Sequence, residues 1–407
     1  MHGGHAFSLP AAGRNVNPYL SAYGNAPLFD QIFNGYNLGL GAVNGSTVTG
    51  SASLRQYSTT RTWFATNAVG SFANWLNTTN AFSGVNGGLL SHGGLPQNFV
   101  VVNPQYASIS TVCACANASY DSGIVELRKS YSHGLTFQTN VTWAKSIIQG
   151  GGGDGSNSYR NPRNWSLDRA LAPFNVKWAW KGTGTYMLPF GPGQPFLHAK
   201  TGAEGVFGKI LEQWQLGTVL TVYSGNPLQL STGISPFTNT GTNTATQVGQ
   251  VPSGLGKVIR VGNGVTYFPD LTQVTDPTCN TLTAQQSLSS ACTLKALAYN
   301  GNVVLQNSAP GVLGTTALYS NLTGPGLFDL DLNLLKRFSV KERVSVEFRV
   351  DAIAVTNTPH FANPTTSINS TSFGRITAPS TNGANAFTTP PPYNGNRTFV
   401  ANLRISF

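Results

Sequence analysis

The sequence is short of charged residues. Of its 407 residues, 24 are Lys or Arg and 14 are Asp or Glu, so 9% carry a charge, against about 25% in an ordinary soluble domain. A chain with so little charge is neither a disordered polyelectrolyte nor a coiled coil. The net charge of +10 reflects the shortage of acids. No basic run of about 5–8 residues is present, so the sequence does not indicate nucleic-acid binding.

Long hydrophobic runs are also absent. No stretch approaches the roughly 18 consecutive apolar residues that a transmembrane helix needs. Residues 1–13 lack the cationic segment and the apolar core of a secretory signal. We therefore expect either a protein that is not exported by such a signal or a chain that begins partway through a larger one.

Residues suited to metal binding or catalysis are few. The four cysteines and six histidines show no zinc-site spacing, and neither an HExxH nor a GxSxG motif occurs. The Gly-rich run 152–156 lacks the further acids of a calcium loop and the Lys of a phosphate loop. The sequence thus predicts no metal, no cofactor and no enzymatic activity. Cys279 and Cys292 bracket an irregular polar stretch, where a loop disulfide in an oxidising compartment and free thiols are both open alternatives.

What the sequence does contain is a period-two alternation of apolar and polar residues, which is typical of β-strands. It is clearest in residues 328–334, where Phe and Leu alternate with Asp and Asn. All the segments with this pattern are longer than the about 5–6 residues of an average strand, and each could cross a bilayer as a tilted strand, which takes about 9–11 residues. The pattern predicts seven long strands, over residues 120–131, 135–145, 174–188, 212–223, 328–338, 344–352 and 399–407.

The charges follow the same alternation. Four charges fall on the apolar phase near strand ends, where a long side chain can extend to the lipid headgroups: Lys129, Lys145, Glu212 and Lys336. A sheet covering a soluble core would alternate too, but it would explain neither the strand lengths nor the Trp and Tyr residues near strand ends. We therefore predict an all-β fold, an antiparallel transmembrane β-barrel portion. Eleven charges lie on the polar phase, and the predicted lumen-facing set includes Asp329, Asp331, Arg337, Glu347, Arg349, Asp351 and Arg404.

The connections between the predicted strands alternate between short and long, except that 189–211 is a rather long member of the short set. Outer-membrane barrels have short periplasmic turns and long extracellular loops. On this basis, residues 120–407 form the barrel strands with their loops, and the chain ends on the periplasmic side. Residues 1–119 form one large extracellular loop region, with a short helix expected within 61–76.

Several segments resemble the C-terminal barrel of Oar-like TonB-dependent receptors. The resemblance covers about residues 95–407 and is densest towards the end of the chain. The segments that carry it are 324–338 (GPGLFDLDLNLLKRF), 342–349 (ERVSVEFR), 357–361 (NTPHF), 372–376 (SFGRI), 403–407 (LRISF), 127–134 (LRKSYSHG), 142–145 (TWAK), 188–191 (LPFG), 214–217 (WQLG) and 224–227 (SGNP).

The resemblance implies a bacterial outer-membrane barrel with a plug domain, in which uptake of a ligand is driven through TonB. Nothing in the chain resembles the plug or the TonB-contacting box, and transporter barrels have about 22 strands. An open barrel edge in lipid would leave backbone groups unpaired at several kcal/mol each. We therefore expect a fragment of a larger barrel in the outer membrane of a Gram-negative-type bacterium. Its partners would be membrane lipid, the barrel-assembly machinery, TonB, and the missing plug and N-terminal barrel portion; the ligand is not indicated.

Two local features have alternative explanations. Phe407 is the last residue of an alternating strand. In the family that the chain resembles, a terminal aromatic residue is part of the signal read by the barrel-assembly machinery. The alternative is that a Phe stands at this position by chance. Asp329 and Asp331 share a strand face, as a glycosidase pair might, but neutralisation across the sheet by Arg349 or Arg404 is favoured. For the whole chain, the different-class alternative is a secreted or surface adhesin that binds carbohydrate on Trp and Tyr rings.

Overall fold

The computed structural model describes most of the chain in separate ranges. These are residues 31–36, 38–40, 42–43, 46–47, 51–79, 82, 87–101, 116–150, 159–161, 163–191, 195–196, 210, 212–235, 243–262, 264–282, 289–320, 322–341, 344–378 and 395–407. Cys113, Cys115 and the Gly-rich run 152–156 lie outside these ranges.

The first part of the chain contains a small helical unit. A strand pair, β1 (Ala42–Val43) and β2 (Ser46–Thr47), precedes four short helices. Seven buried apolar side chains form its core: Ile32, Phe33, Leu54, Phe72, Leu76, Leu89 and Leu90. None of the helices in the described residues is long and apolar enough to cross a membrane. The helices are α1 (Ser51–Gln56), α2 (Ser58–Ala65), α3 (Val69–Thr78) and α4 (Gly88–His92).

The single helix predicted within 61–76 is two helices. Asn67 lies between α2 and α3 with a positive φ of 57°, a left-handed conformation that ends a right-handed helix. The break lets Phe72 and Leu76 of α3 face the same core as Leu54 of α1.

Fifteen further strands follow in the described residues. They comprise seven long strands and eight short ones, and the short ones all lie in the long connections. In chain order they are β3 (Ala118–Ser132), β4 (Leu135–Gln149), β5 (Arg169–Leu171), β6 (Trp178–Met187), β7 (Trp214–Tyr223), β8 (Thr246–Gln247), β9 (Ile259–Val261), β10 (Gly264–Thr266), β11 (Leu271–Thr275), β12 (Lys295–Tyr299), β13 (Asn302–Gln306), β14 (Leu327–Lys341), β15 (Val344–Ile353), β16 (Arg375–Ile376) and β17 (Thr398–Ser406).

The seven long strands form one antiparallel sheet. Its order is β3-β4-β6-β7-β14-β15-β17, so every strand pairs with its neighbour in the series, and β5 pairs with the end of β4. Each of the seven segments predicted from alternation is a strand in this meander. The main difference in bounds is at residues 174–177, which precede β6; the Asn175 side chain there accepts a hydrogen bond from the Ser146 backbone N–H at 2.6 Å.

The register separates the two faces of this sheet. Leu334 lies opposite Leu216 and Val350, whereas Arg337 lies opposite Glu347. Large apolar side chains on the face of Leu334 are exposed, for example Leu127 (59%) and Leu403 (66%). We call this the apolar face and the opposite one the polar face. An exposed apolar face of this extent fits contact with lipid, as in a membrane barrel.

The sheet is not closed into a barrel within the described residues. β3 pairs only with β4, and β17 pairs only with β15. Each of the two edge strands therefore presents one row of backbone groups without a strand partner in the part of the chain that the structure describes. Exposed edges of this length favour pairing with further strands.

Long connections leave one end of the sheet, and two of them fold together. β11-β12-β13-β8 form one small sheet and β16-β10-β9 another, so strands from 246–306 and from 375–376 share a unit. For these connections the sequence predicted only irregular loops, and the two small sheets were not predicted. We call this unit the loop domain; its buried core is Leu228, Leu230, Ala245, Leu255, Tyr267, Phe268, Leu271, Leu297, Val304, Leu305, Ile368 and Ile376.

Cys279 and Cys292 are bonded to each other in the loop domain, with their Cα atoms 5.7 Å apart. Of the two alternatives left open by the sequence, the structure therefore has the disulfide. The two cysteines are 13 residues apart in sequence. Their bond links the segment after β11 to the segment at the start of β12.

Short connections lie at the other end of the sheet. The β3–β4 turn uses His133 and Gly134, both with positive φ (52° and 78°). At this end Lys336 is 1% exposed and its Nζ donates to the carbonyl oxygens of Ile210 and Glu212, at 2.7 and 2.8 Å. The prediction that Lys336 extends to the headgroups was wrong, because the β6–β7 connection folds over its ammonium group.

Candidate functional site

The polar face carries the predicted lumen-facing charges. Asp329 and Asp331 of β14 lie opposite Thr221 and Val219 of β7, and alternation puts Arg337 on the same side. The register of β15 against β14 and β17 adds the remaining four charges to this face: Glu347, Arg349, Asp351 and Arg404. The seven residues therefore share one side of the sheet.

Most of these charges are compensated locally. Arg337 Nη2 contacts Glu347 Oε2 directly across the strands at 2.7 Å. Arg349 Nε contacts Asp351 Oδ1, two residues along β15, also at 2.7 Å. Arg404 lies opposite Glu347 on β17. Exposed pairs such as these contribute little stability, so they balance the charge of the face more than they hold it together.

The two aspartates of β14 have other partners than expected. Asp331 Oδ1 accepts a hydrogen bond from the backbone N–H of Ala354 at 2.8 Å. Asp329 is 8% exposed, and its Oδ1 has no hydrogen-bond partner among the described residues. Within the described residues, the two aspartates form no ion pair with Arg349 or Arg404. The predicted neutralisation across the sheet was therefore wrong; Arg349 is engaged by Asp351 instead.

A cavity of about 130 Å³ lies where the polar face meets the loop domain. The end of β7 contributes Tyr223, the start of β14 contributes Leu327, and the 358–363 segment contributes His360 and Asn363. His360 is 4% exposed, and within the described part of the chain neither ring nitrogen has a hydrogen-bond partner. Asp329 lies two residues after Leu327 in β14, on the same face of the sheet.

A second, larger concavity of about 280 Å³ lies over β3, β4 and β6. Asn140 and Lys181, directly opposite each other in the register, supply polar groups. Tyr120 and Phe174 supply aromatic rings that are 64% and 56% exposed. This concavity also belongs to the polar face.

The loop domain is joined to the β4–β6 connection by a buried arginine that the sequence did not indicate. Arg160 Nε contacts Asp168 Oδ1 at 2.5 Å, and the two side chains are 5% and 0% exposed. Arg160 also donates to Thr244 Oγ1 at 2.8 Å and to the Thr316 carbonyl at 3.1 Å. It thereby joins the β4–β6 connection to the β7–β14 connection, over sequence separations of 84 and 156 residues.

A second polar cluster joins the loop domain to the last long connection. Asp276, which is fully buried, accepts hydrogen bonds from the backbone and side chain of Asn307, both at 2.7 Å. The side-chain amide of Asn369 donates a hydrogen bond to Asn307 Oδ1. It also donates to the Thr232 carbonyl at 2.6 Å. No local motif signals this network, because its members are far apart in sequence.

The remaining predicted features are simple to place. Phe407 follows β17 and is 97% exposed; its role as an assembly signal stays a prediction. Among the described residues, no three His, Cys, Asp or Glu side chains are grouped as a metal site would require. The assignment of no catalytic role to Asp329 and Asp331 also stays a prediction.

The comparisons with known proteins agree with this architecture. Residues 34–393 match the family described as outer membrane beta barrel domain. No curated protein and no solved structure is significantly similar to the chain. The family match covers most of the 407 residues, including all the long strands except β17. The chain therefore belongs to the outer membrane beta barrel domain family and is located in the outer membrane.

Proposed function

We propose that the chain is the C-terminal barrel segment of an Oar-like TonB-dependent receptor, which takes up a ligand or binds it at the cell surface without catalysis. The observation that supports this most is the arrangement of the sheet. Its apolar face is exposed, its polar face carries the charges and two cavities, and a folded loop domain lies at the end of the sheet that the long connections leave. A receptor needs this combination of a membrane wall and an external binding structure.

The unpaired sheet edges support a larger assembly. Since backbone groups left unpaired in hydrocarbon cost several kcal/mol each, the edges of β3 and β17 require partner strands in the membrane. By the family resemblance, these strands belong to the portion that also carries the plug and contacts TonB. The barrel-assembly machinery would insert the whole, with Phe407 as part of its recognition signal.

Photo-crosslinking at the two edges tests this proposal. A photoreactive amino acid is placed at Val125 of β3 or at Leu403 of β17, and the captured protein is identified by mass spectrometry from native outer membranes. We expect both edges to capture strands of a plug-bearing barrel polypeptide. The same group at Leu332, in the middle of the sheet, is the control and should capture lipid only. Capture of nothing, or only of a second copy of this chain, at the edges would contradict the receptor proposal.

One observation favours the adhesin alternative as a surface-bound protein. Trp143 and Trp178 lie opposite each other in the register, with Trp180 two residues along on the same face, and all three rings are exposed. Such a cluster could stack on sugar rings, but membrane barrels also place Trp at their interfaces. Extraction distinguishes the two: an adhesin would leave the membrane in high salt, whereas the barrel segment should require detergent.

A further inference from the structure

The larger concavity lies on the side of the sheet that faces away from the lipid. Residues of β3, β4 and β6 line it, together with residues 174–176, which precede β6. Its volume is about 280 Å³, whereas a cavity of about 150 Å³ already holds one bare six-membered ring. The larger concavity therefore has room for a six-membered ring with its substituents.

The segment that carries Phe174 is held against β4 by hydrogen bonds. The Ala172 N–H donates to the Ser146 carbonyl, and the Asn175 N–H donates to the Ala172 carbonyl, both at 2.9 Å. Asn175 Oδ1 accepts from the Ser146 N–H at 2.6 Å, and both of these residues are buried. This side of the concavity is therefore formed before a ligand binds, and a preformed site loses less entropy on binding.

Two aromatic rings are exposed in the larger concavity, those of Tyr120 and Phe174. The aromatic belts of membrane barrels face the lipid. Tyr120, however, lies opposite Ser146 on the polar face, so contact with lipid does not explain its exposed ring. The negative face of an aromatic ring attracts the C–H groups on one side of a sugar ring. The two rings therefore suit a sugar as ligand.

The charge at the larger concavity is positive. Among the described residues that line it, Lys181 is the charged one, and alternation puts Lys177 on the same side. Within the described part of the chain, neither lysine forms an ion pair. The two carboxylates in the row of Lys181, those of Glu126 and Asp329, are each two strands away. This is about 10 Å at the usual strand spacing, where salt screens most of their effect, so an anionic group is favoured beside Lys181.

The lining also supplies neutral hydrogen-bonding groups. Asn140 lies opposite Lys181, and Thr142 follows it by two residues on the same face of β4. The Asn140 amide and the Thr142 hydroxyl can each donate and accept hydrogen bonds. A simple aromatic acid has no hydroxyl groups for them, whereas a sugar presents several next to its ring. The lining therefore favours an acidic sugar over an aromatic acid.

We propose that the larger concavity binds a sugar ring that carries one anionic group, either a uronic acid or a sugar phosphate. The sugar ring lies against Phe174, the anionic group contacts the Lys181 ammonium group, and the hydroxyls are hydrogen-bonded by Asn140 and Thr142. The inference rests on the proposed receptor function for its biological meaning, since it names the ligand class of that receptor.

Saturation-transfer difference NMR on outer-membrane vesicles from cells that make the chain tests the proposal. The probes are glucuronate, galacturonate and glucose 6-phosphate, with glucose and benzoate for comparison, each offered alone. At least one anionic sugar should bind with a Kd on the order of 1 mM, and glucose and benzoate should bind more weakly. Lys181→Met keeps a long side chain without its charge and should weaken binding by roughly tenfold, as expected for the loss of one hydrogen bond to a charged group. Phe174→Leu, which removes the ring, should weaken binding as well.

Matched controls change the same residue types elsewhere. Lys257→Met and Phe196→Leu, both at exposed positions outside the concavity, should bind like the wild type. The proposal would be overturned by transfer no greater than in vesicles without the chain, by tighter binding of glucose or benzoate, or by equal binding of Lys181→Met and the wild type. Crosslinking at Val125 and Leu403 separates the two proposals. If it captures a plug-bearing barrel polypeptide while no anionic sugar binds, only the ligand class is wrong.

Discussion

Buried charge in this protein is stabilised by hydrogen bonds that cross between connections. Arg160 pairs with Asp168 and donates to four further groups, and the Lys336 ammonium group donates to two carbonyl oxygens. Buried ions are tolerated only when they are paired and fully hydrogen-bonded. Asp329 Oδ1 and the two ring nitrogens of His360 have no such partner among the described residues, whereas Arg160 joins two connections structurally.

Asp168→Asn is expected to weaken the loop domain strongly. Arg160 would remain buried without its counter-charge, and breaking a buried pair in this way costs about 3–5 kcal/mol. The measurement is hydrogen exchange of the backbone amides around Thr316 and Ala245. The matched control is Arg337→Gln, which breaks an exposed pair worth about 0–1 kcal/mol. An Asp168→Asn effect as small as that of the control would show that the Arg160 pair does not fix the loop domain.

The stability of the loop domain should fall in alkali because of Tyr267. Its hydroxyl donates to the Thr323 carbonyl at 2.9 Å, and burial raises its pKa to about 12 from 10.0. The unfolded chain loses this proton at a lower pH than the folded one. The stabilising contribution is therefore complete below pH 10 and declines as pH rises towards 12, by about 1.4 kcal/mol per pH unit.

Denaturant unfolding across this pH range measures the effect. Tyr267→Phe should remove the slope, apart from the part due to Tyr319, whose pKa burial also raises. If the variant and the wild type lose stability equally between pH 10 and 12, the Tyr267 hydroxyl does not titrate as described.

At the level of elements, the long strands could be predicted and the short ones could not. Residues 328–334 alternate without interruption, because lipid on one side and polar groups on the other impose this period. The structure has β14 from Leu327 to Lys341. β8, with two residues, exists only because it pairs with β13 about sixty positions away. No local pattern encodes such a pairing.

The candidate site shows the same limit. The seven charges of the polar face followed from alternation alone, but their partners did not. Asp331 is bound by a backbone N–H from the turn after β15, and the position of that turn depends on the fold of the last connection. His360 is one of six histidines and lies in the NTPHF segment of the family resemblance, but no metal-binding or catalytic motif surrounds it. Only the packing of its segment onto β14 identifies it as a site residue.

Arginine substitutions at two adjacent positions of β14 should differ in their effect. Leu332→Arg puts a charge in lipid near the middle of the strand, which costs about 2–4 kcal/mol at the midplane. Asn333→Arg puts it on the polar face, where the cost should be small. Folding yield and stability in bilayers measure both. Equal destabilisation by the two variants would contradict the assignment of the faces.

On the scale of the whole molecule, the parity of the connections predicts an orientation. All three long connections after β3 leave one end of the sheet, and two of them form the loop domain. The other end has two short turns, the longer β6–β7 connection and the last residue of the sequence after β17. By the rule for outer-membrane barrels, we predict that the loop domain is outside the cell.

Labelling of intact cells tests this orientation. With Cys113 and Cys115 replaced by Ser, a cysteine at Val312, which is 49% exposed in the loop domain, should react with a membrane-impermeant maleimide. A cysteine at Phe196, in the β6–β7 connection, should react only after the outer membrane is permeabilised. The reverse pattern would mean that the chain is oriented the other way.

The most direct test of the account is a spin-label scan along β14 in lipid vesicles. Labels at positions 328 to 335, one at a time, are compared for collision with oxygen dissolved in the lipid and with a water-soluble nickel complex. We predict a period of two, with the even positions, such as Leu332, accessible to oxygen and the odd ones, such as Asn333, accessible to nickel. Equal accessibility of neighbouring positions, or nickel access to the even ones, would contradict a membrane-spanning sheet.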